Sequence, residues 1–138
     1  MILVDSNVII DIIEGDSRWE TWSAAQIANA GVNDKAVVNE IVVAEVAPSM
    51  GSLGAFYEAI TLLDIGFEQI GDEAAFLAGT AFLTYRKRRD STRSIIADFL
   101  IGGHALVLGA SILTRDPRFY ETYFPAVPII KPSKDDHD

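Results

Sequence analysis

Short apolar runs bounded by polar or helix-breaking residues constrain this chain more than any other feature. Ile2-Leu3-Val4 is apolar without alternation, which suits a strand buried on both faces. Ala36-Val37-Val38, Ser111-Ile112-Leu113-Thr114 and Val127 to Ile130 predict further short strands, and a weaker one is expected near Phe67 to Ile70. Between them the spacing is helical. A first helix is expected over Asn7 to Ile13, capped by Asp5 or Ser6 and stopped at Gly15, and a second over Ser17 to Ala30, ended by Gly31. Asn39 is a plausible cap for Glu40 to Ala47, which Pro48 stops. Ser52 to Leu63 follows, with apolar residues at Leu53, Phe56, Ala59, Ile60 and Leu63.

Further on, Asp72 to about Arg89 predicts a long helix, acidic at its start and basic at its end as the macrodipole favours. Its Ala74, Ala75, Ala78 and Gly79 suggest close packing. A polar loop from Asp90 to Ser94 leads to a helix from Ile96 to Leu108, which Gly109 can close, and Asp116-Pro117 reads as a helix start. Strands alternating with helices predict an α/β fold of three layers, a parallel sheet of four or five strands covered on both faces. With 138 residues, 49% of them hydrophobic, a single domain is expected over residues 1–131, and the charged stretch 132–138 reads as a disordered tail.

The absence of cysteine excludes disulfides, zinc-thiolate sites, iron–sulfur clusters and thiol nucleophiles, so any metal must be held by oxygen or imidazole. No basic segment precedes the first apolar residues, so a cytoplasmic location is expected. The longest run without charged residues, Phe99 to Thr114, is shorter than the ~20 residues of a membrane span and is broken by glycines. The net charge of −9 opposes indiscriminate adhesion to nucleic acid, yet seven of the eleven basic residues fall between Arg86 and Arg118. Acidic overall, the chain carries one basic region.

Ligands of such sheets bind at the carboxyl ends of the strands. Asp5 follows the first strand, Asp116 follows the fourth, Asp98 opens the helix returning to the fourth, and Glu45 lies one turn into the helix after the second. All four can reach one edge. Singly each has a plain structural role available: Asp5 and Asp116 as caps, Asp98 as a first-turn acid, Glu45 on a solvated face. Together they point to a site, because clustered carboxylates repel one another unless a hard cation such as magnesium or manganese neutralises them. Glu45 is the most telling, since it sits among Ile41, Val42, Val43, Ala44 and Val46, where a carboxylate needs a partner.

Val4-Asp5-Ser6-Asn7, Asn39-Glu40-Ile41-Val42-Val43-Ala44-Glu45, Ile96-Ala97-Asp98-Phe99-Leu100-Ile101-Gly102 and Leu113-Thr114-Arg115-Asp116, in this order and at this approximate spacing, resemble the PIN-domain family, and within it the VapC toxins of toxin–antitoxin pairs. The resemblance spans nearly the whole chain and rests on the four motifs in combination. It implies a magnesium- or manganese-dependent ribonuclease with Asp5, Glu45, Asp98 and Asp116 as its acidic metal cluster and Ser6 and Thr114 as supporting hydroxyls. RNA as substrate, a cognate antitoxin as partner and a homodimer are implied with it. Arg86, Arg89, Arg93, Arg115 and Arg118 are expected to contact RNA phosphates.

His104, among Ile101, Ala105 and Leu108, reads as a packed histidine, and His137 lies in the tail, which leaves too few imidazoles for a two-histidine nuclease. Trp19 and Trp22 read as core or interface. The rivals are a PIN-like scaffold that binds without cutting and a phosphotransfer receiver-like domain. Lys131-Pro132 after the last strand favours the receiver, but Asp5 lacks the adjacent acid that such a domain needs. A phosphatase with an aspartyl nucleophile would want an aspartate where Asn7 stands.

Overall fold

The structure, a computed structural model, describes residues 1–88 and 96–137. Its strands are β1 (Ile2–Val4), β2 (Ala36–Val38), β3 (Ile65–Phe67), β4 (Ser111–Leu113) and β5 (Ile129–Ile130). The helices are α1 (Ser6–Ile13), α2 (Glu20–Asn33), α3 (Glu40–Val46), α4 (Leu53–Leu62), α5 (Gly71–Arg88), α6 (Ile96–Leu108) and α7 (Arg118–Tyr123). All strand pairs are parallel, in the order β3-β2-β1-β4-β5, with Leu3 beside Val37 and Ile112, and Val4 beside Leu113. The chain leaves β1 toward β2 on one side and returns to β4 on the other, which makes the crevice between β1 and β4 the topological switch point. A receiver-like domain has the order 2-1-3-4-5. The observed order excludes that alternative.

Leu3, Val4, Val37, Val38, Ile112 and Leu113 are wholly buried, as strands covered on both faces require. Helices α5 and α6 meet backbone to backbone: a methyl at Gly103 would fall 2.8 Å from the Ala74 carbonyl oxygen. Ala74 and Ala78 line this contact, whereas Ala75 and Gly79, expected to share it, face outward. At Gly102 the Phe124 ring occupies the space a side chain would need. Around Phe99 gather Phe82, Tyr85, Phe119, Tyr123 and Phe124, an aromatic cluster joining α5, α6 and α7. Among the described residues, no helix is long and apolar enough to cross a membrane.

Several boundaries differ from the sequence expectation, each for a local reason. Asp16 accepts from the backbone N–H groups of Arg18 and Trp19, a turn that delays α2 to Glu20. Gly31 does not end that helix; it continues to Asn33, where the Asp34 N–H closes the last turn on the Ala30 carbonyl. β3 begins two residues early because Asp64, at φ 58°, ends the preceding turn and delivers Ile65 opposite Ala36. The expected Val127–Ile130 strand shortens to Ile129–Ile130, since the Val127 N–H turns back to the Phe124 carbonyl and Pro128 has none to give. Pro48 does not end α3 abruptly but lies in a 3-10 turn, Ala47–Ser49. Within the stretch read as a tail, Asp136 accepts from Ser133 and Lys134–His137 forms another 3-10 turn.

Candidate active site

The site is built where β1 and β4 end side by side. The Asp5 N–H still belongs to the sheet, donating to the Leu113 carbonyl at 2.9 Å, while its side chain turns into the start of α1 and is almost wholly buried. Asp5 Oδ1 accepts from the Ser6 N–H at 2.8 Å; Oδ2 accepts from the Thr114 hydroxyl at 2.9 Å and the Tyr120 hydroxyl at 3.1 Å. Burial pushes the Asp5 carboxyl above the usual aspartate range; these hydrogen bonds pull it back and the nearby Asp116 charge adds to the rise.

Thr114 is the hub of a small network. Its Oγ1 donates to Asp5 and accepts from the Asp116 N–H at 3.0 Å and from Asn7 Nδ2 at 3.2 Å. Asn7 Oδ1 in turn accepts from the Arg115 N–H at 3.1 Å. This lashes the segment after β4 to the first turn of α1. Asp116 stands exposed at its end. The helix start expected there falls differently: Pro117 occupies the cap position of α7 without any side-chain capping bond, so Asp116 does not cap it.

Glu45 arrives on α3, whose start is fixed by the Asn39 side chain accepting from the Val42 N–H at 3.1 Å. Burial raises its pKa first, with the Asp5 charge adding and a hydrogen bond from the Ser6 hydroxyl opposing. Its Oε1 is buried and has no hydrogen-bond partner. A buried acceptor left unmet costs on the order of 1–3 kcal/mol, more when charged. Asp98 lies in the first turn of α6 and is half-buried. Its charge reaches Tyr120, as do those of Asp5 and Glu45; burial, joined by these carboxylates, holds the phenol proton well above the usual tyrosine range.

Asp5, Glu45, Asp98 and Asp116 therefore share one neighbourhood. Among the described residues, however, no three His, Asp or Glu side chains converge closely enough as they stand to enclose one metal ion. His104 lies apart from the carboxylates, almost wholly buried, with Nδ1 taking the Asn39 amide hydrogen at 2.9 Å. Burial lowers its pKa, which keeps it a neutral core imidazole.

The basic residues divide. Arg115, expected to contact phosphate, is committed elsewhere: Nε donates to Asp11 Oδ2 at 2.6 Å and Nη2 to Asp11 Oδ1 at 2.8 Å, with the guanidinium 5.4 Å from the Trp19 ring centroid. Asp11 is buried and also accepts from the Ser23 hydroxyl at 2.9 Å, so it demands this partner. Arg86 and Arg118 are exposed. Arg89 and Arg93 lie outside the described residues. Trp19 is buried and meets Trp22 edge to face at 6.0 Å, as expected of core rather than base-stacking rings.

Sequence reasoning missed Asn7, Asp11 and Tyr120. Asp11 carried the signal used for Glu45, an acid in an apolar helix beside Ile9, Ile10, Ile12 and Ile13. Tyr120 reaches Asp5 across 115 positions, a pairing that no local spacing in the sequence signals.

The model of the PIN domain family matches residues 2–125. The chain belongs to this family. No curated protein sequence matches it. Its PIN fold is similar to that of VapBC2 from Rickettsia felis bound to a promoter DNA fragment, with a TM-score of 0.71 and 14% identity over 95% of this chain and 98% of that one. VapBC-1 from nontypeable Haemophilus influenzae gives 0.67 and 20%, again over 95% and 98%. A toxin–antitoxin complex from Klebsiella pneumoniae gives 0.64 and 16% over 96% and 98%. At such identities the likeness speaks for the fold. Within this PIN domain, Asp5 and Asp116 flank the switch-point crevice from adjacent strands, and Glu45 and Asp98 approach it from α3 and α6.

Proposed function

We propose that this PIN domain is a magnesium- or manganese-dependent ribonuclease and the toxin of a toxin–antitoxin pair. The observation that carries the reading is Glu45: a half-buried side chain with one buried, unpartnered carboxylate oxygen, beside the buried carboxylate of Asp5 at the carboxyl edge of the sheet. Burial and the Asp5 charge raise the Glu45 carboxyl, burial and the Asp116 charge raise Asp5, and a cation is the group that removes the cost. The donor set fits a small hard ion. Magnesium keeps several waters and takes only one or two protein carboxylates beside substrate phosphates, so an all-protein cage is not required.

Asp5, Glu45, Asp98 and Asp116 would hold the metal, one ion or two. Once bound, it supplies a water nucleophile usable at neutral pH and charge stabilisation for in-line attack on a phosphodiester. The chain's own part is positioning. Thr114 and Ser6 orient Asp5 and Glu45, and the Asn7–Thr114 link keeps Asp116 at the mouth of the crevice. Of the arginines expected to contact RNA, Arg118 and Arg86 are exposed and can meet its backbone.

The toxin reading draws on the toxin–antitoxin complex from Klebsiella pneumoniae, similar in fold along nearly its whole length. An antitoxin that lays a basic side chain among the carboxylates would silence the site, and a homodimer is proposed as the toxin's assembly. The purified chain, stripped with chelator, should cleave RNA only after magnesium or manganese is restored, leaving 5'-phosphate and 3'-hydroxyl ends; 2',3'-cyclic phosphate ends would refute the mechanism. Co-purification with the product of the adjacent reading frame tests the toxin assignment. The non-cutting scaffold keeps one observation in its favour, the looseness of the carboxylate cluster. It predicts RNA binding without cleavage at any metal concentration.

A further inference from the structure

Tyr120 is a residue with no role in the reading above, yet it touches the most buried acid of the site. Its ring is almost wholly enclosed, and its place is set by packing: the adjacent Phe119 meets Phe99 edge to face at 4.8 Å, and Phe124 lies over Gly102. The hydroxyl is thus delivered to Asp5 by the aromatic cluster. It donates to Oδ2 at 3.1 Å, the oxygen that also accepts from Thr114 at 2.9 Å. A carboxylate oxygen has two lone pairs in its plane, so two hydroxyl donors fill Oδ2. Asn7 Nδ2, at 3.5 Å, adds a third and longer contact to the same oxygen. Oδ1 accepts only the Ser6 N–H among the bonds described and keeps a lone pair open.

We propose that Tyr120 is a positioning residue that, with Thr114, occupies Oδ2 of Asp5 and so restricts Asp5 to single-oxygen ligation of a cation, biasing the site toward magnesium or manganese and against calcium. The physical basis is the difference between the ions. Magnesium demands near-octahedral geometry at short distance, which one carboxylate oxygen satisfies, while calcium takes more ligands and readily accepts both oxygens of one carboxylate. A carboxylate whose second oxygen is already filled offers calcium nothing extra. The inference rests on the metal-dependent reading of the site and adds its ion selectivity.

The test is Tyr120→Phe in the full chain, with magnesium and calcium titrated separately into chelator-stripped protein by calorimetry. Loss of an outer hydrogen bond that orients a ligand should weaken magnesium binding about tenfold. Calcium affinity should hold or rise, so the calcium-to-magnesium affinity ratio climbs by a similar factor. Thr114→Val removes the other hydroxyl from the same oxygen and should move the ratio in the same direction; it decides the matter if the tyrosine variant does not fold. A purely structural tyrosine would lower both affinities in equal proportion or neither, and either result overturns the assignment. Wild-type protein that binds neither ion overturns the metal reading itself, and this inference with it. Wild type binding magnesium with both variants unchanged in ratio overturns the role of Tyr120 alone.

Discussion

Replacing Arg115 by Met separates two roles for one guanidinium. In the structure it forms a two-pronged bond to Asp11 at 2.6 and 2.8 Å, and Asp11 is only 2% exposed. Methionine retains much of the aliphatic stem but leaves Asp11 with the Ser23 hydroxyl as its remaining described donor. Removing one partner of a buried ion pair costs about 3–5 kcal/mol. Because the Arg115 side chain is 28% exposed and water can reach the vacated place, the low end, about 3 kcal/mol, is expected. At an unfolding entropy of about 2.1 cal/mol/K per residue, that loss lowers the Tm by roughly 10 °C.

Urea denaturation of both proteins measures the stability difference. In parallel, the salt dependence of RNA affinity should keep its slope, whereas a lost phosphate contact would reduce it by about one. Adding Asp11→Leu to Arg115→Met should recover much of the stability, since it removes the stranded charge. A single variant within about 0.5 kcal/mol of wild type, the range of an ordinary surface change, would refute the clamp, most clearly if its salt slope also fell.

The remaining predictions concern the carboxylates. Asp5 and Glu45 have raised folded pKa values, so their contribution to stability is fully present below their ordinary values of 3.8 and 4.5 and is lost as pH rises through the folded ones. Asp16 and Asp34, held low mainly by hydrogen bonds, contribute above 3.8 and lose that contribution as pH falls through their folded values. In chelator the Tm should therefore rise as pH is lowered from neutral toward the ordinary carboxylate range and fall at stronger acid, while magnesium should flatten the rise; a chelator curve that falls steadily from neutral pH contradicts it. Asp98→Asn should melt no lower than wild type in chelator and respond much less to millimolar magnesium. Equal metal responses, with a uniform loss of about 0.5 kcal/mol, would reduce Asp98 to a helix-start residue.

What the sequence determined by itself is what depends on period and punctuation. Unbroken runs such as Ile2–Val4 and Ala36–Val38 have no polar face to offer water, so they become strands of a sheet covered on both sides, and the helices between them force parallel pairing. Once that is granted, Asp5 and Asp116 share an edge by topology alone. Asn39 as a cap and Gly109 at φ 65° after α6 follow equally from local chemistry. Tertiary structure decided which groups separated by a hundred residues meet. Thr114 reaches Asp5 across 109 positions, Arg115 reaches Asp11 across 104, and Tyr120 reaches Asp5 across 115. No local period encodes such pairs. The strand order placed β4 against β1, and the choice of partner for each polar group then followed from desolvation: buried Asp11 took the arginine that a reading of charge along the chain had assigned to RNA.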